Sequence, residues 1–101
     1  MAFGTGLGPV LGGNSSALNI GTATVIKATA GTFWSGQITS IGTGPGYLYD
    51  ANSLTNLNTA RVLLTIQAGQ SGPIGGAFPV PFFIGLVFVP FSDMTASIFY
   101  S

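Results

Sequence analysis

The sequence predicts an all-β fold: a small antiparallel β-sandwich, jelly-roll-like, or a barrel, with an extended glycine-rich N-terminal arm. Three observations lead there. Short runs with two-residue alternation recur along the chain, turns dense in glycine and proline separate them, and no convincing helix appears. Six or seven short strands of this kind are the pattern of antiparallel sandwiches and barrels. With 101 residues there is room for one domain. The arm is expected over residues 1–18 and the sandwich over 19–101.

The elements follow in order. Glycine stands at positions 4, 6, 8, 12 and 13, which defeats a helix, because each glycine costs about 1 kcal/mol there. Phe3, Leu7, Val10 and Leu11 in the same segment are apolar, so either a disordered tail or an arm lying on a neighbouring subunit is expected. Residues 19–29 form a first strand, with Thr22, Thr24 and Ile26 on one face and Ala23, Val25 and Lys27 on the other. Residues 32–41 form a second, with Trp34 and Ile38 on one face and Gly36 between them, a bulge or a close backbone approach. The two runs are expected to pair as a hairpin around Ala30-Gly31. After the turn Gly42–Gly46, Tyr47–Asp50 is a short third strand. Residues 51–59 are an Asn-rich loop or a single helical turn. The fourth strand, 60–67, carries apolar residues on both faces and is expected to be buried on both sides. Residues 68–73 are a loop. The last strand, 94–101, alternates cleanly, with Met94, Ala96, Ile98 and Tyr100 on one face.

Between these lies the most unusual stretch, residues 75–91. It has no charged or polar side chain and holds five of the eight phenylalanines and three of the six prolines. Its uninterrupted run from Pro81 to Phe91 is eleven residues, about half of the ~20 that a membrane-spanning helix needs. Pro79 and Pro81 have no N–H to give to a ladder, so residues 78–81 belong at a sheet edge. Phe82 to Val89 is then a fifth strand with Gly85 as a bulge. Phe78, Phe82, Phe83, Phe88 and Phe91 are too many for one small core, so several are expected at a subunit interface. No membrane association is expected.

Composition narrows the function. Charged residues make up 4% of the chain, against about 25% in a typical soluble domain. Lys27, Arg61, Asp50 and Asp93 are the whole inventory, with no Glu, His or Cys. Charge is depleted at interface cores, so much of the surface is expected to be contact surface. Disorder goes with low hydrophobicity and high charge, the reverse of this chain. Two cations cannot make a nucleic-acid footprint. Met1-Ala2-Phe3-Gly4 has no basic residue and no continuous apolar run, so no secretory signal is expected.

Chemistry has few candidates. Asp50 and Asp93 each sit beside a turn, where aspartate is ordinary turn chemistry rather than an acid–base pair. Lys27 is read as a lysine at a strand edge or in an ion pair, the sharper alternative being an isopeptide bond to an Asn. Asp50-x-Asn52 lacks the glycine and closing Glu of a calcium loop. Trp34, Tyr47 and Tyr49 are either core and cross-strand aromatics or a sugar-stacking platform. No catalytic residue, metal or cofactor is expected.

The stretch Asn19-Ile20-Gly21-Thr22-Ala23-Thr24-Val25-Ile26-Lys27-Ala28-Thr29-Ala30-Gly31-Thr32 resembles one found in small proteins of tailed bacteriophages and prophages. The similarity continues to a Tyr-Asp turn near the middle, here Tyr49-Asp50. It resumes in the late strand Gly85-Leu86-Val87-Phe88-Val89-Pro90 and the closing Ala96-Ser97-Ile98-Phe99-Tyr100-Ser101. It covers roughly residues 19–50 and 82–101. This chain departs by more phenylalanine around 78–91 and a longer glycine-rich N-terminus. Such proteins are head decoration (cement) or head-fibre components, often trimers. The resemblance therefore implies a non-enzymatic virion protein on the capsid surface that binds the major capsid protein and forms a homotrimer. A carbohydrate-binding or host-adhesion module of a fibre or tail is the alternative.

Overall fold

The computed structural model describes residues 15–101. Most of the expected arm, with Phe3, Leu7, Val10 and Leu11, lies outside the described residues. Eight strands follow: β1 (Ser15–Ile20), β2 (Thr24–Lys27), β3 (Gly31–Ser40), β4 (Gly46–Asp50), β5 (Arg61–Ile66), β6 (Pro73–Phe82), β7 (Leu86–Val89) and β8 (Thr95–Tyr100). A single 3-10 turn spans Leu57–Thr59. The strands form two four-stranded sheets, ordered β1-β8-β3-β6 and β2-β7-β4-β5, and every neighbouring pair is antiparallel. First pairs with last, second with seventh, third with sixth and fourth with fifth. That nested pairing is a jelly-roll sandwich.

The core explains why these residues form these strands. Phe33, Ile38, Ile74, Phe82, Ala96 and Ile98 point inward from the first sheet, and Leu48, Ile66, Leu86 and Phe88 from the second, with Met94 at the entrance to β8. Burying a side chain of this size stabilises by about 1.5–3 kcal/mol. Alternation sets the face: in β4, Gly46, Leu48 and Asp50 are buried while Tyr47 and Tyr49 are half-buried. Of the set expected on one face of the last strand, Met94, Ala96 and Ile98 are fully buried and Tyr100 is half-buried. β6 lies at the edge of the first sheet, the place where Pro79 and Pro81 can sit without breaking a ladder.

Several expectations are corrected. Residues 19–29 are not one strand. Asn19 adopts φ 53° and gives its N–H to Ser97 Oγ at 3.0 Å, so the chain kinks and crosses from the first sheet to the second. Consequently the expected hairpin is absent: β2 pairs with β7, and β3 with β6 and β8. The sheet also takes in residues 15–18, where the arm was expected to continue.

Phe82–Val89 is likewise two pieces. Phe82 ends β6 and Leu86 starts β7, so Gly85 sits in a turn and is no bulge. β5, expected to be buried on both sides, is an edge strand of the second sheet, with Arg61, Val62 and Thr65 exposed. Finally, Trp34 and Ile38 do not share a face. Phe33 opposes Tyr100 and Ser35 opposes Phe99, leaving Trp34 as an extra residue in β3. This bulge puts Phe33 and Ile38 in the core and Trp34 outside it, because one inserted residue resets the alternation.

Gly85 tests the turn between β6 and β7. A Cβ there would come within 2.6 Å of the Lys27 carbonyl oxygen and closer still to that of Ala51. Both obstacles are backbone, so neither can rotate away. Gly85→Ala is expected to destabilise the fold by about 1–3 kcal/mol, read as a lowered urea midpoint with an unchanged m-value. Gly69→Ala is the control for left-handed strain without crowding, since it has φ 78° and nothing within 4 Å.

Candidate functional site

The five late phenylalanines divide by strand position. Phe82 and Phe88 were expected among the interface residues; both lie in the core, 1% and 0% exposed, because each falls on the inward parity of its strand. The other three face outward: Phe78 is 79% exposed, Phe83 70% and Phe91 37%. Each is presented differently.

Phe83 and Ile84 stand on the turn between β6 and β7, which Asp50 builds. Asp50 ends β4 with its side chain inward, 4% exposed. Its carboxylate accepts the N–H of Phe83 at 3.0 and 3.1 Å, of Ile84 at 2.8 Å and of Gly85 at 3.3 Å. Arg61, opposite Asp50 across the ladder, donates from Nη2 to Asp50 Oδ2 at 2.9 Å and to the Pro81 carbonyl at 3.1 Å. The guanidinium also covers the Phe83 ring, 5.2 Å from its centroid. Burial pushes the Asp50 pKa up. The Phe83 and Ile84 amides, the Arg61 guanidinium and the Gly85 amide together outweigh it and hold the carboxyl below its ordinary 3.8. Asp50 is therefore an anion receptor turned inside out: the carboxylate is fixed and the loop amides gather on it.

Phe78 stands on an extrusion of β6. Val80 opposes Phe33 and Gly75 opposes Ser35. Trp34 alone separates the pair on β3, whereas Gly76, Ala77, Phe78 and Pro79 separate the pair on β6. These residues are pushed out of the ladder as a finger. Its base needs left-handed backbone, φ 65° at Gly75 and 92° at Gly76, and Gly75 lies so close to the Phe33 ring that a Cβ would meet it at 2.7 Å. Phe91 packs its ring against Gly44. Nearby, Asp93 accepts the Thr43 N–H at 3.0 Å and the Thr43 hydroxyl at 2.8 Å, and these two bonds hold its pKa down.

The two outer sheet faces differ in chemistry. Across the second sheet Val25 opposes Val87, Val87 opposes Tyr49 and Tyr49 opposes Val62. This apolar row crosses all four strands, with Tyr47 and Val89 paired beside it; within it Val87 is fully covered and Val62 is the exposed member. Tyr47 and Tyr49 pack at 5.9 Å between centroids. The first sheet turns out Gln37, Thr39 and Thr95, with the two threonine hydroxyls 2.6 Å apart, and also the exposed Leu18 of β1. The proposed sugar platform is not assembled: Trp34 belongs to β3 of the first sheet and gives its indole N–H to Ser101 Oγ at 2.9 Å, while Tyr47 and Tyr49 lie on the second. Lys27 ends the edge strand β2, as one of the two placements expected of it.

Between the β4–β5 loop and Ile84 is an open hollow of about 210 Å³, lined among others by Ala51, Asn52, Thr59, Ala60 and Ile84, with Asp50 behind. Among the described residues no three His, Cys, Asp or Glu come together as a metal site, and no helix is long and apolar enough to cross a membrane. Comparison with protein-family models, curated proteins and solved structures gives no match.

The Asp50 receptor, the finger and the hollow were not anticipated. One local signal existed for the first: Asp50 and Arg61 flank the Asn-rich loop and are the only opposite charges that a hairpin would place side by side. Asp50→Ala is expected to cost about 3 kcal/mol or more, since each buried donor left unpaired costs about 1–3 kcal/mol. Arg61→Gln should cost no more than about 1 kcal/mol, because Arg61 is 51% exposed and solvent screens the pair. The folded pKa of Asp50 lies below its unfolded one. Its contribution is thus full above the ordinary carboxyl range and is lost as pH falls through the lowered value. Thermal unfolding followed by circular dichroism should be insensitive to pH near neutrality and fall in acid, less steeply in Asp50→Asn.

Proposed function

We propose that the chain is a non-enzymatic structural protein of a phage virion: a capsid decoration, or cement, protein that self-associates as a homotrimer and binds the major capsid protein on the head surface. The observation that carries this reading is the number of large apolar side chains left exposed on so small a chain, among them Leu18, Ile41, Val62, Phe78, Phe83 and Ile84. Large exposed apolar patches mark interaction sites. The near-absence of charge agrees, because charge is depleted where surfaces become contact. The resemblance of residues 19–50 and 82–101 to small head proteins supports the same partner. Jelly rolls recur in viral capsid and lectin domains, which is an analogy of fold and adds only to the prior.

The mechanism is mechanical. A copy seated across neighbouring capsid subunits adds contact area that must be lost before they separate. Many copies around a shell act together, so weak single contacts accumulate.

Electron microscopy of intact particles tests this. Density for the sandwich is expected on the outer shell at a copy number that follows the capsid lattice, and particles lacking the protein should lose integrity at lower temperature. A stable monomer that ignores capsids, or particles without it at any ordered position, would sink the proposal.

A further inference from the structure

β1 is loosely held by the copy it belongs to. None of its six residues is buried; Leu18 is 61% exposed, and of the strand only Ile20 packs against the core. The rest of its attachment is the ladder to β8 and the bond from the Asn19 N–H to Ser97 Oγ. The structure shows what that edge of β8 receives: β1 of this chain, with Ser15, Ser16 and Ala17 opposite Tyr100, Phe99 and Ile98. A second copy offers the same residues in the same register.

The link to β2 decides which copy supplies the strand. Gly21-Thr22-Ala23 alone join β1 to β2, and the chain must pass from one sheet to the other there. The bend needs left-handed backbone at Asn19, φ 53°, which glycine adopts freely and a residue with a side chain does not. The bend is also tight: a Cβ on Gly21 would meet Thr95 Cγ2 at 3.0 Å. Local sequence opposes it. Ile20, Thr22, Thr24, Val25 and Ile26 are β-branched and favour extended backbone, which is why residues 19–29 read as one strand. A short hinge under strain is the setting in which an element is exchanged between copies. Straightening residues 19–23 relieves Asn19. It gives up the bond to Ser97 and the Ile20 contact, while the Ser15–Ala17 ladder is remade on a neighbour.

We infer that β1 is an exchanged strand: residues 19–23 straighten, and β1 of one copy pairs with β8 of a second copy of this chain. The exchange closes reciprocally in a pair or head to tail in a ring of three, the homotrimer proposed above. It deepens that reading and rests on its self-association, not on capsid binding.

The chain has no cysteine, so the double variant Ser16→Cys/Phe99→Cys reports which copy supplies β1. The two positions are direct partners in an antiparallel ladder, within reach of a disulfide. Sedimentation velocity gives the oligomer, and circular dichroism verifies folding. After oxidation, non-reducing electrophoresis is expected to show chains linked to one another at the mass of the oligomer, falling to single chains on reduction. Disulfides within single chains of an assembled protein, or a monomeric wild type, would overturn the inference. Two hinge variants test it without the disulfide. Asn19→Gly accepts the bend without strain, and Gly-Ser-Gly-Ser inserted between Thr22 and Ala23 lengthens the link; each is expected to shift the protein toward monomer. Assembly unchanged in both would overturn the inference as well. An exchanged assembly that ignores phage heads would uphold it and overturn the cement function. A trimer on heads with disulfides inside single chains would do the reverse.

Discussion

The fold depends on one carboxylate. Asp50 sits at the end of β4, is buried, and collects the amides of Phe83, Ile84 and Gly85. Those amides belong to the step by which the chain leaves the first sheet and joins the second. Without an acceptor there, three donors would point into the protein unpaired. Hydrogen bonds to a charged group contribute about 1.5–3 kcal/mol each, whereas a half-exposed ion pair contributes about 1 kcal/mol at most. Arg61 is thus the lesser partner in stability. Its larger effect is positional: one guanidinium joins Asp50, the Pro81 carbonyl and the Phe83 ring, so the start of β5 and the end of β6 are held together.

Much of this architecture is legible from residue order. β4 and β8 follow period-two alternation, and the prolines of β6 announce an edge. The illegible parts share a cause: the determinant is far away in sequence. The break after Phe82 is made by Asp50, 33 to 35 residues earlier, so a run that is locally all apolar reads as one strand. The break after Ile20 is made by Ser97 Oγ on Asn19, 78 residues away. The Trp34 bulge is set by its pairing to β8 and not by its neighbours. The candidate surface was legible in bulk, as a surplus of phenylalanine over what one core can use. Which phenylalanines were surplus was not, because the break after Phe82 separates a buried ring from the exposed Phe83 beside it.

The two sheets also show how a chain with almost no charge divides its surface. Hydroxyls and amides on the first sheet supply the hydration that ionised side chains usually provide. The second sheet carries valine and tyrosine on its outer face, where Val87 is fully covered and Val62 is left exposed. The few charges are placed to organise the backbone: Asp50 and Arg61 at one turn, Asp93 on Thr43 at another. That leaves little electrostatic repulsion between copies.

The nested strand order has a consequence for biosynthesis. β8 lies between β1 and β3 in the middle of its sheet, so neither of those strands finds its inner neighbour until residues 95–100 have been made. A growing chain carries two unpaired edges and an unclosed apolar interior throughout translation, and nearly every closing contact spans a long stretch of sequence. Such an intermediate is prone to aggregate.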